Sequence, residues 1–381
     1  MSEIEKLEKM AVLLSLPGTA LLVLLPLYIK DLGGSSELIG IASSVGPISF
    51  SIVRLIGGAA TDMFGRKSTF LFGIALYTLG LLVLAIAPDA NAVALGGSLS
   101  GAGAMIAMTS AIVMVADVAG FAEIYGRLTS KMALGGVIGA VVPFSLLYFF
   151  PEVVAFRASF LIYFLTSLYS TFKSLELRET KPPKAVISFE FTREWFIATV
   201  IGSLVSIASG MVTPFYPVFV ASKFELNAND VMLTYIPSAI SAIGSPRIAG
   251  MFDPLYTLVL FSAIGTIGSL TIVIGGLALA AIGLALVVGA VGGCTVAQDA
   301  LVAKGCKRSC GFMIGLYAAV TQFFMGIGSL VAGIIYSYRG DLVFGTAAVA
   351  LFLSTVLSAT FLGLNALKGG TRSLFGHKTG H

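Results

Sequence analysis

The stretch Gly57-Gly58-Ala59-Ala60-Thr61-Asp62-Met63-Phe64-Gly65-Arg66-Lys67 decides the fold. Apolar sequence runs up to it and away from it, over residues 37–60 and 68–87. About 20 apolar residues cross the hydrocarbon core as a helix. A charged, glycine-bearing turn between two such helices must lie at the water interface. Gly65 is free to take φ > 0 and end the first helix. Asp62, Arg66 and Lys67 then stand together at a helix end, where ion pairs form and break.

Outward from this turn the same pattern fills the chain. The apolar runs predict twelve spans, at 8–30, 36–61, 68–88, 91–117, 131–150, 156–175, 195–221, 229–251, 255–275, 277–302, 311–336 and 342–366. Each span has to satisfy its own backbone in lipid, and an α-helix does so. The alternation of a membrane barrel strand is absent. Of the 381 residues, 57% are hydrophobic and 11% charged, against about 25% charged in a soluble domain. The chain is expected to be an integral membrane protein with no soluble domain. No cleavable signal peptide is expected, because the first apolar run is too long.

Lysine and arginine set the orientation. With the N-terminus inside, eighteen of them fall on inner segments and four on outer ones, and Arg54 lies within a span. This positive-inside bias predicts a multi-pass cell-membrane protein with both termini and the Gly65 turn cytoplasmic.

A repeat is visible as well. Displaced by 191 positions, Pro26 falls on Pro217 and Asp62 on Asp253, and Pro47 lands one residue past Pro237. The predicted organisation is an all-α membrane protein of two pseudo-symmetric six-helix bundles. These are 1–174 and 195–381, the latter ending in a short cytoplasmic tail; 175–194, which carries Pro182-Pro183, is the cytoplasmic linker. Such repeats place a substrate site between the halves near mid-membrane. The second half keeps the aspartate, but its turn is Asp253-Pro254 with no basic residue after it.

The spelling of the first turn resembles the signature of the major facilitator superfamily at Gly58, Asp62, Gly65, Arg66 and Lys67. The resemblance covers essentially the whole chain. It implies twelve helices and transport by alternating access. It also implies that Asp62 meets the N-terminus of a helix across the half–half interface, here that of span 11 near Cys310-Gly311. A carboxylate is stabilised there by the helix dipole. The conformational latch is then Gly58, Asp62, Gly65, Arg66 and Lys67. Arg54 joins it, four and eight residues before Gly58 and Asp62 on one helix face, and so does Arg127, a partner for Asp62, Asp117 or Glu123.

Ionisable groups within spans default to function. Asp299, and with it Asp117 and Glu123, are the candidate proton-coupling residues. Asp117 and Asp299 end corresponding spans, and Asp299 lies nearer the membrane interior. The candidate substrate pocket is apolar and aromatic: Thr19, Met105, Met108, Phe215, Tyr216, Tyr235, Tyr317 and Gln322. A mid-helix amide such as Gln322 needs a polar partner. Glycines four apart, at 97/101, 135/139, 289/293 and 311/315, let helices approach closely, for static packing or for sliding.

Several features expected of proton-coupled relatives are missing. Gly97 stands where span 4 would carry an arginine before Gly101, span 5 has no Gly-Pro, and span 1 has no carboxylate between Glu8 and Asp31. No catalytic cluster occurs in any span, so an enzyme is not expected. Cys306 and Cys310 lack the further ligands a metal site needs. No Gly-x-x-x-x-Gly-Lys-Ser/Thr loop is present, so ATP is not expected to drive the protein, and no cofactor is called for. The reading is a secondary active transporter, a monomer, with the bilayer, a small molecule and protons as partners and no nucleic acid. It exports a hydrophobic or amphiphilic compound in exchange for protons. The alternatives are uptake or facilitated diffusion of a small metabolite and, remotely, a non-transporting membrane sensor.

Overall fold

The computed structural model describes residues 3–33, 36–118, 120–181, 189, 191–226, 228–306 and 309–375. The helices are α1 (Glu3–Asp31), α2 (Ser36–Phe64), α3 (Arg66–Ile86), α4 (Ala90–Ala116), α5 (Phe121–Phe149), α6 (Glu152–Ser174), α7 (Arg193–Phe224), α8 (Ala228–Leu233), α9 (Ile236–Ala249), α10 (Pro254–Ile274), α11 (Leu277–Gly305), α12 (Cys310–Tyr338) and α13 (Gly340–Phe375). No strand occurs among the described residues. Among those residues, α3 to α7 and α10 to α13 are each long and apolar enough to cross a membrane.

Sequence periodicity predicts one continuous span over 229–251, and the structure divides it. α8 stops at Leu233, and α9 starts after Thr234-Tyr235. Pro237 stands in the first turn of α9, where its missing N–H leaves no helix bond unmade. α8 and α9 together make one interrupted column, and the described residues form twelve columns.

The 191-residue displacement survives in three dimensions. α1 starts at 3 and would fall at 194, where α7 starts at 193; α5 starts at 121 and would fall at 312, where α12 starts at 310. In the first half α3 packs on α4 and α6, and α1 on α5. In the second, α10 packs on α11 and α13, and α7 on α12. Lipid offers no hydrophobic drive between helices, so close van der Waals contact has to hold them. Glycines supply it. Gly135 and Gly139 lie against the backbone of Val12 and Leu16, and Gly210 and Gly328 against that of Met325 and Ile207. Trp195 donates its indole N–H to the carbonyl of Met313 at 3.0 Å, fixing α7 to α12. Large apolar side chains such as Phe72, Leu79, Ile86 and Ile274 point outward.

The halves meet along two seams, α2 with α12 and α5 with α9. The close contacts there involve the last turns of α2 and α9 and the first turns of α12 and α5. They lie at the end of the bundle that carries the Gly65 turn.

Candidate functional site: the turn and the seams around it

Gly65 ends α2 with φ 97°, a conformation that costs any residue with a Cβ. A side chain there would also strike Glu179 Oε2. The chain reverses, and Arg66 opens α3 with its side chain 1% exposed. Its guanidinium pairs with Asp62 at 3.4 Å and Asp117 at 3.2 Å and donates to the Thr61 carbonyl at 3.4 Å. Asp117 also pairs with Lys181 at 2.8 Å and accepts from the Thr180 hydroxyl at 2.7 Å. Two carboxylates and the Arg66 guanidinium thus share one buried site, which the exposed Lys181 reaches from outside; removing a single partner of a buried ion pair costs about 3–5 kcal/mol.

Asp62 is the hinge of the arrangement. One oxygen faces Arg66, and the other accepts the backbone N–H of Phe312 at 2.8 Å. Phe312 is in the first turn of α12, so a carboxylate of the first half caps a helix of the second. The contact is close because both backbones are bare. A Cβ on Gly58 would sit 2.3 Å from the Gly311 carbonyl, and one on Gly315 would sit 2.7 Å from the Arg54 carbonyl.

Among the described residues the second seam shows no ion pair. Gly126 faces the Pro246 carbonyl, Gly250 faces the Ala122 carbonyl, and the Ser130 hydroxyl donates to the Ile243 carbonyl at 2.5 Å.

Arg127 is not in the turn cluster. It pairs with Glu123 at 2.7 Å and with Glu8 at 3.2 Å, and Lys131 reaches the same Glu8 at 2.5 Å. Glu8 is buried, and the sequence reading missed it. Glu179 was missed too. Its carboxylate takes the backbone N–H of Arg66 at 2.5 Å and of Lys67 at 3.1 Å, while Lys67 Nζ donates to the Leu175 carbonyl at 2.9 Å. The run expected to be a plain linker therefore caps α3, and its stretch 182–188, with Pro182-Pro183, lies outside the described residues.

Arg54 and Asp299 come from opposite halves. Asp299, on α11, is buried and faced by the Tyr125 hydroxyl and the Arg54 guanidinium. The Tyr317 hydroxyl, on α12, donates to Gln298 Oε1 at 2.9 Å, and its ring lies near both charges. Charge at this depth is tolerated where it is paired.

The predicted pocket residues do not converge. Met108 lines a cavity of about 80 Å³ inside the first half, with Leu7, Phe70, Tyr77 and Met132, and Met105 is half-buried on the same helix. Phe215 packs on Tyr336 with ring centroids 5.2 Å apart, and Tyr216 meets Tyr235 edge-on at 5.4 Å. Tyr317 stands where α12 meets Gln298 of α11 and lies near Arg54 of α2. Gln322 is half-buried, and the buried amide with a side-chain partner is Gln298 instead. Thr19 is in α1, and its side chain lies outside the described residues.

This geometry can be set beside known proteins. The family model described as Major Facilitator Superfamily matches residues 10–309. The chain is 24% identical over 238 residues to Multidrug resistance protein 1 of Bacillus subtilis, an alignment covering 60% of each protein. The match therefore spans less than two thirds of that relative's length. Among solved structures, the transporter FucP in the outward conformation superposes with a TM-score of 0.76 at 13% identity, over 94% of this chain and 98% of that one. The human organic anion transporter MFSD10 gives 0.74 at 16% identity, over 93% and 98%.

Proposed function

Because the chain belongs to the Major Facilitator Superfamily, we propose that it is a secondary transporter that exports a hydrophobic or amphiphilic small molecule by alternating access, in exchange for protons. It acts as a carrier and not as an enzyme. Residues 1–174 and 195–381 rock as two bodies in the cell membrane, joined through 175–194, with both termini and the Gly65 turn cytoplasmic.

The observation that carries this reading is the bond from the Phe312 amide to Asp62 across bare glycine backbones. A charge-assisted bond of this kind is strong yet rests on one acceptor, so it closes the cytoplasmic side and still breaks as a unit. Gly58, Asp62, Gly65, Arg66 and Lys67 form the latch, with Asp117 as a further member. Arg127 belongs to a second charge group with Glu8 and Glu123. The resemblance to the Bacillus protein, named for multidrug resistance, supports export of a broad cargo class.

Asp299 is the proton carrier of this reading. Arg54, Tyr125 and Tyr317 face it from three helices, so its charge state is felt in both halves. Flux into proteoliposomes under an imposed pH gradient tests the proposal, with dyes set against sugars and amino acids. Export coupled to protons is expected for a lipophilic compound in wild type, and Asp299→Asn is expected to transport with the pH dependence lost. Unchanged pH dependence in that variant would remove Asp299 from the coupling. Gradient-independent flux of a sugar or amino acid would replace export with facilitated diffusion.

A further inference from the structure

Two buried nitrogens in the interface around Asp299 have no protein acceptor: Arg54 Nε and Gln298 Nε2. They come from opposite halves, α2 and α11, and Tyr317 is beside both, bonded to Gln298 through its hydroxyl and close to Arg54. Gln298 is 3% exposed. A buried donor without an acceptor is costly, and such groups are rare enough to call for a cause. Here two occur together, on the surfaces that must part if the halves rock.

The remaining capacity of the group is one-sided. Gln298 Oε1 already accepts from Tyr317, so its amide offers only N–H. Arg54 has no acceptor to offer at all. The charge of Asp299 opposes that of Arg54, so neither a full cation nor a full anion gains from the local field. A ligand that satisfies both nitrogens needs oxygen lone pairs and no net charge.

We infer that the cargo presents a neutral oxygen acceptor, the carbonyl of a ketone, ester or amide, to Gln298 Nε2 and Arg54 Nε between the halves. This rests on the alternating-access reading and narrows its cargo from hydrophobic compounds in general to those with a carbonyl head. A carbonyl oxygen has two lone pairs to offer such donors. The two donors belong to different bodies, so a carbonyl that took both would tie the halves together.

Four two-ring probes separate the chemistries. Calorimetric titration of the full chain in detergent would compare 2-acetylnaphthalene with 2-ethylnaphthalene, which has the same shape without the oxygen. N-methylquinolinium and naphthalene-2-sulfonate supply a cation and an anion of like size. The ketone is expected to bind roughly tenfold tighter than the hydrocarbon and ahead of both ions. Gln298→Leu is expected to erase that preference while keeping wild-type affinity for 2-ethylnaphthalene, which offers the amide no acceptor. Equal affinities for ketone and hydrocarbon in the wild type would overturn the inference. So would tighter binding of either ion, or a preference that survives in Gln298→Leu. The wild-type ranking decides even where a variant does not fold. Binding and flux are read separately, so the failures separate: flux without a carbonyl preference sinks only this inference, and the preference without flux sinks only the transport reading.

Discussion

Asp62 and Asp253 hold equivalent places in the two halves, and they do different things. Asp253 caps its own helix, accepting the N–H of Leu255 at 3.0 Å and of Tyr256 at 3.4 Å. Asp62 is 0% exposed and caps a helix of the other half while holding Arg66. The difference lies in the next residues. Pro254 starts α10 at once, so Asp253 is left at an N-cap position. Met63 and Phe64 continue α2 past Asp62, so Asp62 stays on the helix flank that faces α12. A carboxylate retained by a repeat is thus turned from local capping to closure between bodies by where its helix ends.

The largest effect is expected where no side chain fits. Gly58→Val places a Cβ 2.3 Å from a backbone oxygen, and neither backbone yields without moving its helix. Transport by this variant is expected to fall to background in proteoliposomes while the chain still inserts; near-normal flux would show that the first seam does not need to close. Asp62→Asn comes next. It removes the charge from the bond to Phe312 and leaves Arg66 with Asp117 as its remaining carboxylate. Slow or absent transport is expected, and Cys310, buried beside this seam, should be alkylated faster by a permeant thiol reagent. An unchanged alkylation rate would mean that the bond does not hold the seam.

Glu179→Gln is expected to act more weakly. A carboxylate at a helix N-terminus contributes about 0.3–1 kcal/mol, so a small drop in melting temperature is expected, with transport kept. Loss of transport instead would make the linker part of the latch. The smallest effect belongs to Asp253→Asn. Asparagine caps a helix about as well as aspartate, so neither stability nor flux should change measurably. A large defect there would break the contrast between the two aspartates.

Much of this was legible beforehand, for physical reasons. Apolar runs of membrane length fix the helices, whereas the contact of Asp62 with a helix across the seam came from the family resemblance carried by Gly58, Asp62, Gly65, Arg66 and Lys67. The same reading put Arg54 and Asp299 in separate roles, because no spacing within one chain reveals that α2 and α11 bring them together. Glu8 and Glu179 were invisible for a similar reason. Each sits in polar sequence that reads as solvated, and each is captured more than a hundred residues away in the chain, Glu8 by the Arg127 and Lys131 side chains and Glu179 by the backbone N–H groups of Arg66 and Lys67. Aromatic and methionine content marks packing as readily as cargo contact, and here Tyr216 packs on Tyr235 and Phe215 on Tyr336. A break at Thr234-Tyr235 divides a span that hydropathy alone reads as whole.

The glycine seams carry a consequence for how such a protein diversifies. At Gly58, Gly126, Gly250, Gly311 and Gly315 one backbone rests on another or on a single carboxylate, so every alternative residue is larger than the gap. Selection has no graded steps to explore there. Under the proposed function, exchanges at side chains such as Gln298 and Tyr317 would alter what is recognised before they altered how the molecule shuts. Change of diet and conservation of the closing surface would then be separate demands on separate atoms.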